Sequence, residues 1–361
     1  MVRSVKKVLA LIMALLLLVC VAGCSSGDNA SNDDQKTNQT TQDKNDNQPE
    51  KKDTYMEIYQ LAPDKNVLMQ CNVIKTPNNK LIVIDGGHIE YNSFIISALR
   101  AIKGVKKYEY FEIDAWFLSH AHEDHYGELL KVLRDYSEDS NFKINNFYFD
   151  FPDFNSPDYR PNDYNLDEIQ MLKDGLNNYA RVNGIEVDDY YTYLNGRVVN
   201  SEAIEKGLTI TIDGVDLKIL QTYSMEEDII VNCNSMVIQA VHNGKKALFL
   251  TDITTNSEKR LLRNYSEELQ SDLVQLAHHG QNGATKRTYE VINAKYVLWC
   301  TPYWVWTNPT TYKIGEVREW FNITEAGGEN HLISCLYEYY PESRTSVSAW
   351  AKVVEYMKVV L

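Results

Sequence analysis

The chain has 361 residues, with 36 basic side chains against 50 acidic ones and a formal charge of −14 at neutral pH. So acidic a body does not steer toward bulk nucleic acid, whose binding depends on clustered Lys and Arg. None of the six cysteines has C-x-x-C spacing, which speaks against a cysteine-only zinc site.

The elements follow in chain order. The segment Met1–Lys7 is basic, Val8–Ala22 is apolar, and Gly23-Cys24-Ser25-Ser26 is small and polar. The apolar run is shorter than the roughly 20 residues of a membrane span, so residues 1–23 read as a signal peptide. Val21-Ala22-Gly23-Cys24 resembles the bacterial lipobox. That resemblance implies a lipidated Cys24 and a protein held at the extracellular face of a bacterial membrane; an uncleaved anchor is the plainer alternative. Residues 24–53 hold almost nothing apolar and read as a disordered polar tether.

Residues 54–361 carry the folded part. "MEIYQLA", "NVLMQCNVIKTP" and "KLIVIDGG" read as strands, the last ending in a glycine turn. "YNSFIISALRAIKGV" has helical spacing. "IDAWFLSH" reads as one strand, "DHYGELLKVLRDY" as a helix, and "INNFYFDF" as one further strand. "NLDEIQMLKDGLNNYARVNG" reads as a helix inside an acidic, Tyr-rich insertion at about 151–196, expected to cap the site and set specificity, with a surface decoration as the alternative. Two hairpins follow, turning at Asp213-Gly214 and Asn243-Gly244. "TNSEKRLLRNYS" is helical, "DLVQLAHHG" and "AKYVLWCTP" are buried strands, and "TTYKIGEVREWF" is a helix. Strands and helices mix throughout, which predicts a layered α+β domain with helices outside sheets.

Three of the eight histidines fall in "SHAHEDHYGEL", at His120, His122 and His125, with Glu123 and Asp124 among them. The pattern is H-x-H-x-D-H between a strand and a helix. Imidazole and carboxylate suit zinc, and a loop with this spacing can address two neighbouring ions. Acidic or imidazole groups also end three apolar strands: Asp85 after "LIVI", Asp252 after "KALFLT", and His278-His279 after "DLVQLA". An Asp after one strand is ordinarily a cap or turn residue; several at successive strand ends are what a metal site at a sheet edge needs.

This motif set resembles the metallo-β-lactamase-fold hydrolases over about Tyr55–Leu361. The resemblance implies a four-layer αββα sandwich and two divalent metal ions, zinc with manganese as the alternative. A narrower likeness is to the hydrolase domain of competence-type DNA-uptake channels and to secreted phosphorylcholine esterases. It is carried by "NCNSMVIQAVHNGKKALFLTDI", "LVQLAHHGQNG" and "TNPTTYKIGEVREW". Asn234-Ser235 stands where other members carry a third-motif histidine, which argues against a lactamase. Residue by residue, the resemblance implies that His120 and His122 hold one metal. Asp124, His125 and His278 hold the other, with Asp252 bridging. Asp85 orients ligands from behind. His279, Asp124 and Asn234 act on substrate or proton, the choice between His278 and His279 being close to even. The implied activity is hydrolysis of a small-molecule or cell-envelope phosphoester through a metal-bridging hydroxide. Carbonyl substrates, a competence-type nuclease and a non-catalytic metal-binding surface protein are the alternatives, and nucleic acid is the substrate disfavoured by charge.

Overall fold

The computed structural model describes residues 55–61, 67–89, 94–152, 154, 165–184, 207–224, 230–321, 331–334 and 359–361. The signal sequence, Cys24, the tether, Tyr190–Tyr193 and Cys335 lie outside the described residues. Two mixed sheets dominate. The first contains β1 (Glu57–Gln60), β2 (Asn72–Lys75), β3 (Leu81–Ile84), β5 (Ala115–Phe117), β7 (Phe147–Tyr148) and β15 (Val359–Val360), ordered β15-β1-β2-β3-β5-β7. The second contains β8 (Thr209–Ile212), β9 (Val215–Gln221), β10 (Val237–His242), β11 (Lys245–Phe249), β12 (Leu273–Gln275), β13 (Tyr296–Cys300) and β14 (His331–Ser334), ordered β14 through β8. A small pair joins β4 (Phe111–Ile113) to β6 (Phe142–Ile144).

Alternation along the strands builds the layers. Ile82 and Ile84 of β3 pack with Ile238, Phe249, Leu273 and Leu298 of the second sheet in a core between the sheets. The intervening Leu81 and Val83 pack outward on α1 (Phe94–Lys103), α2 (Glu123–Tyr136) and α3 (Leu166–Asn183). On the far side, Val237, Leu248, Val274 and Val297 pack on α4 (Ser257–Tyr265), α5 (Lys286–Ile292), α6 (Tyr303–Trp306) and α7 (Ile314–Trp320). Successive strand residues face opposite ways, so each sheet serves two cores. The result is the expected four-layer αββα sandwich.

Several local readings change. "IDAWFLSH" is two strands, because the buried Asp114 interrupts the run. Its carboxylate accepts from Leu81 N at 3.2 Å and pairs with Lys80 at 3.0 Å. "INNFYFDF" likewise splits at Asn145-Asn146. Helix α5 is capped from a distance by Glu258 on α4, which accepts from Thr285 N at 2.7 Å and Thr288 Oγ1 at 2.6 Å. No local signal announces such a cap. The segment read as an inserted cap contains α3, whose Leu172, Leu176 and Tyr179 are fully buried. Each such side chain contributes about 1.5–3 kcal/mol of burial, so α3 is part of the outer helical layer. Both hairpin turns are as expected: Asp213-Gly214 and Asn243-Gly244 have positive φ at both positions, which matches the strand twist. Cys71, Cys233 and Cys300 are buried, and no disulfide joins them among the described residues.

Strand direction sets up the site. β3, β5 and β7 run parallel, as do β11 to β14. Their C-terminal ends deliver Asp85, Ser119-His120, Thr251-Asp252, His278-His279 and Cys300. The two sheets are tied there, as Met236 N–H donates to Ser119 O at 2.9 Å.

Candidate metal centre

Asp252 is at the middle of the cluster. It is buried, and its Oδ2 lies 3.3 Å from His125 Nε2, 3.5 Å from His279 Nε2, and 4.0 Å from both His120 Nε2 and His278 Nε2. Its Oδ1 is buried with no hydrogen-bond partner. Two overlapping ligand groups result, His120–His125–Asp252 and Asp124–His125–His279. His122 joins the first side, its Nδ1 lying 3.2 Å from His120 Nε2.

Each buried imidazole is anchored through the nitrogen that faces away. His125 Nδ1–H donates to Asp85 Oδ2 at 2.8 Å. His279 Nδ1–H donates to the Cys300 carbonyl at 3.0 Å. Ser119 Oγ donates to Asp85 Oδ2 at 2.9 Å and accepts from His120 Nδ1–H at 2.9 Å. Ser119 N–H also donates to Asp85 Oδ1, at 2.8 Å. With those nitrogens occupied, the opposite nitrogens face the cluster and would offer lone pairs to a cation that displaces their protons. Such outer partners fix tautomer and ring orientation around a metal.

The electrostatics follow from burial and mutual charge. Burial alone would raise Asp252 and Asp124, but His125 and His279 more than reverse it and hold both carboxyls well below their usual range. Burial would lower His125 and His279; the facing carboxylates win, raising His125 strongly and His279 to about 10. His120 and His278 go the other way, held low chiefly by burial. Burial pushes Asp85 up, with His125 and Ser119 pulling against it. A buried set of imidazoles and carboxylates, with an unpartnered carboxylate oxygen at its centre, has the donor chemistry of a site for divalent cations.

The backbone is bent to reach this geometry. Asp85, Thr251, His278 and His279 all have φ between +50° and +66°. Left-handed backbone costs a non-glycine residue about 1–2 kcal/mol, and such strain gathers at functional sites. Two glycines permit the close packing around it. A Cβ on Gly127 would lie 2.3 Å from Ile89 N, and one on Gly280 would lie 2.2 Å from Trp299 Nε1.

The structure places two residues differently from the sequence reading. His279, not His278, joins Asp124 and His125, with Nε2 3.0 Å from Asp124 Oδ2. Reading His278 as the strand's continuation assumed extended backbone, and the left-handed pair breaks that register. His278 instead sits at the rim, its Nε2 3.2 Å from Asn232 Nδ2. Asn234 does not reach the open face. Its amide is tied into its own loop, accepting from Ser224 N at 3.2 Å and donating to Ile230 O at 3.3 Å. In the 3₁₀ turn Val231–Asn234, residues two apart project to different sides, so Asn232 takes the place expected of Asn234. Asp85 stands behind the histidines, accepting from His125 Nδ1–H. Sequence reasoning missed Ser119 as an anchor.

Beside the cluster is a pocket of about 320 Å³ lined by Val67, Leu68, His88, Glu123, Asp124 and Trp304.

No family model matches the sequence, and no curated relative matches it. Solved structures similar to it include the metallo-β-lactamase fold protein YhfI from Bacillus subtilis, at 12% identity over 78% of this chain and 96% of that one, TM-score 0.43. A diphosphatase of the PhnP family is similar at 14% identity over 78% and 94%, TM-score 0.41. Human tRNase Z, short form, is similar at 12% identity over 68% and 92%, TM-score 0.38.

Proposed function

We propose that the chain is a binuclear metal-dependent hydrolase of small or cell-envelope phosphoesters, held outside the cytoplasm through a lipidated Cys24. The observation that carries the reading is Asp252, with one carboxylate oxygen among four imidazoles and the other buried without a partner. His120, His122 and Asp252 would hold one cation; Asp124, His125, His279 and Asp252 would hold the second. When bound, such ions supply an activated water nucleophile and positive charge against the oxyanion that develops.

The chain's own residues do the rest. Asp85 and the Cys300 carbonyl keep His125 and His279 in the tautomers that present Nε2 to the cluster. His278, held neutral by burial, and Asn232 line the rim where a substrate oxygen would sit. Two divalent ions outweigh the carboxylates of Asp85, Asp124 and Asp252, so the loaded site favours an anionic group. The acidic body supports a small phosphoester over a polynucleotide. Zinc fits the imidazole-rich donor set, and manganese is the alternative.

The test is a substrate panel of chromogenic phosphodiesters, phosphomonoesters, lactones and amides, run on the full chain loaded with zinc. Preference for a phosphoester supports the reading, and turnover confined to the carbonyl substrates contradicts it. For the anchor, Cys24→Ser is expected to move the protein from the membrane to the soluble fraction; unchanged membrane retention would point to an uncleaved anchor.

A further inference from the structure

Hydrolysis of a phosphoester needs a proton as well as a nucleophile. An alkoxide is a poor leaving group unless its oxygen is protonated as the bond breaks, and a positioned acid speeds that step by about 10²–10⁴-fold. Three imidazoles of the cluster are committed: His120, His125 and His279 each use one nitrogen on an anchor and aim the other inward. His278 faces Asn232 and Asp252. The pocket beside the cluster holds a different histidine. His88 lines it together with Asp124, Glu123 and Trp304. His88 Nε2 lies 3.8 Å from Glu123 Oε1, and both side chains are partly open to the pocket. Its backbone is set hard against the first turns of α2, for a Cβ on Gly127 would meet the His88 carbonyl carbon at 2.9 Å. Only glycine at 127 lets the loop carrying His88 approach the helix that carries Asp124 and Glu123.

Resting on the hydrolase reading above, we propose that His88, which shares the pocket beside the cluster with Asp124 and Glu123, is the acid that protonates the leaving oxygen. The phosphorus–oxygen bond to the leaving group breaks, its electron pair stays on that oxygen, and the imidazolium proton of His88 moves onto it. Water supplies the new phosphorus–oxygen bond and gives up one proton to solvent, from which His88 is recharged. The net reaction is one water consumed, with one alcohol and one phosphoryl product released. Glu123 is a positioning residue: its carboxylate stands 3.8 Å from His88 Nε2 on the wall of the same pocket.

The experiment compares wild type with His88→Gln, as full chains loaded with zinc, on methyl aryl phosphates from p-nitrophenyl to phenyl. p-Nitrophenolate leaves readily without a proton, and phenolate much less so. His88→Gln is expected to lose about 100-fold or more on the phenyl ester, and at least 10-fold less than that on the nitrophenyl ester, with metal content retained. Equal losses on both esters overturn the assignment while leaving the hydrolase reading intact. No turnover of any ester by the wild type overturns both. Should His88→Gln fold poorly, His88→Asn is run on the same series and is expected to steepen the leaving-group dependence in the same sense. A parallel loss across the series in that variant overturns the assignment.

Discussion

Asp85→Asn isolates the support behind the metal ligands. The Asp85 side chain is fully buried and accepts from His125 Nδ1 at 2.8 Å, Ser119 N at 2.8 Å and Ser119 Oγ at 2.9 Å. An asparagine there keeps the shape but turns one oxygen into a donor. If the amide NH₂ faces Oδ2's present partners, it meets His125 Nδ1–H. If it faces the other way, it meets Ser119 N–H. A buried donor left without an acceptor costs about 1–3 kcal/mol. His125 can relieve the clash by moving its proton to Nε2, but that removes the lone pair aimed at Asp252. The expected result is a 10–100-fold loss of metal affinity, about 1.4–2.7 kcal/mol, with the fold intact. Competition against a chromophoric chelator measures it, with circular dichroism as the fold control. Affinity within twofold of wild type would refute the reasoning, since His125 would then not need Asp85 to present Nε2.

Three further outcomes follow from the same geometry. His279→Ala is expected to lower metal content per chain by about one ion, and His278→Ala to leave it unchanged, as read by elemental analysis; the reverse pattern would restore the assignment read from sequence. Gly127→Ala is expected to destabilise the fold by at least about 1–3 kcal/mol in urea melts, because its Cβ would lie 2.3 Å from Ile89 N. For chelated protein, the pKa of His279 stands at about 10 against an ordinary 6.5. A raised imidazole contributes stability that is fully present below pH 6.5 and is lost as pH rises through 10. Asp124 and Asp252 act oppositely, their contribution being lost only as pH falls below the usual carboxylate range. The chelated protein should therefore weaken between pH 6.5 and 10, while the metal-loaded protein, whose cations replace those protons, should not; equal slopes for the two forms would contradict the network.

Much of this centre is legible in the chain because its chemistry sits at strand ends. The apolar runs in "KLIVIDGG" and "NSMVIQAVHNGKKALFLTD" mark the strands, and the residues just past them are the site. What periodicity cannot show is backbone that leaves the regular menu. The left-handed pair at His278 and His279 exchanges their roles, and a 3₁₀ turn exchanges Asn232 for Asn234. Long-range anchors are equally silent: Cys300 O, Ser119 Oγ and the Glu258 cap meet partners far along the chain or hidden in its turns. The acidic, Tyr-rich look of residues 151–196 suggested a surface addition, yet the buried spacing of Leu172, Leu176 and Tyr179 belongs to a core helix.

The most direct measurement titrates zinc or manganese into chelated full-length protein, following metal per chain and hydrolysis of a chromogenic phosphodiester together, with Asp252→Ala in parallel. A site centred on Asp252 predicts that turnover reaches its maximum at two ions per chain and disappears in the variant while the fold persists. Full rate without added metal, or near wild-type rate in Asp252→Ala, would contradict it.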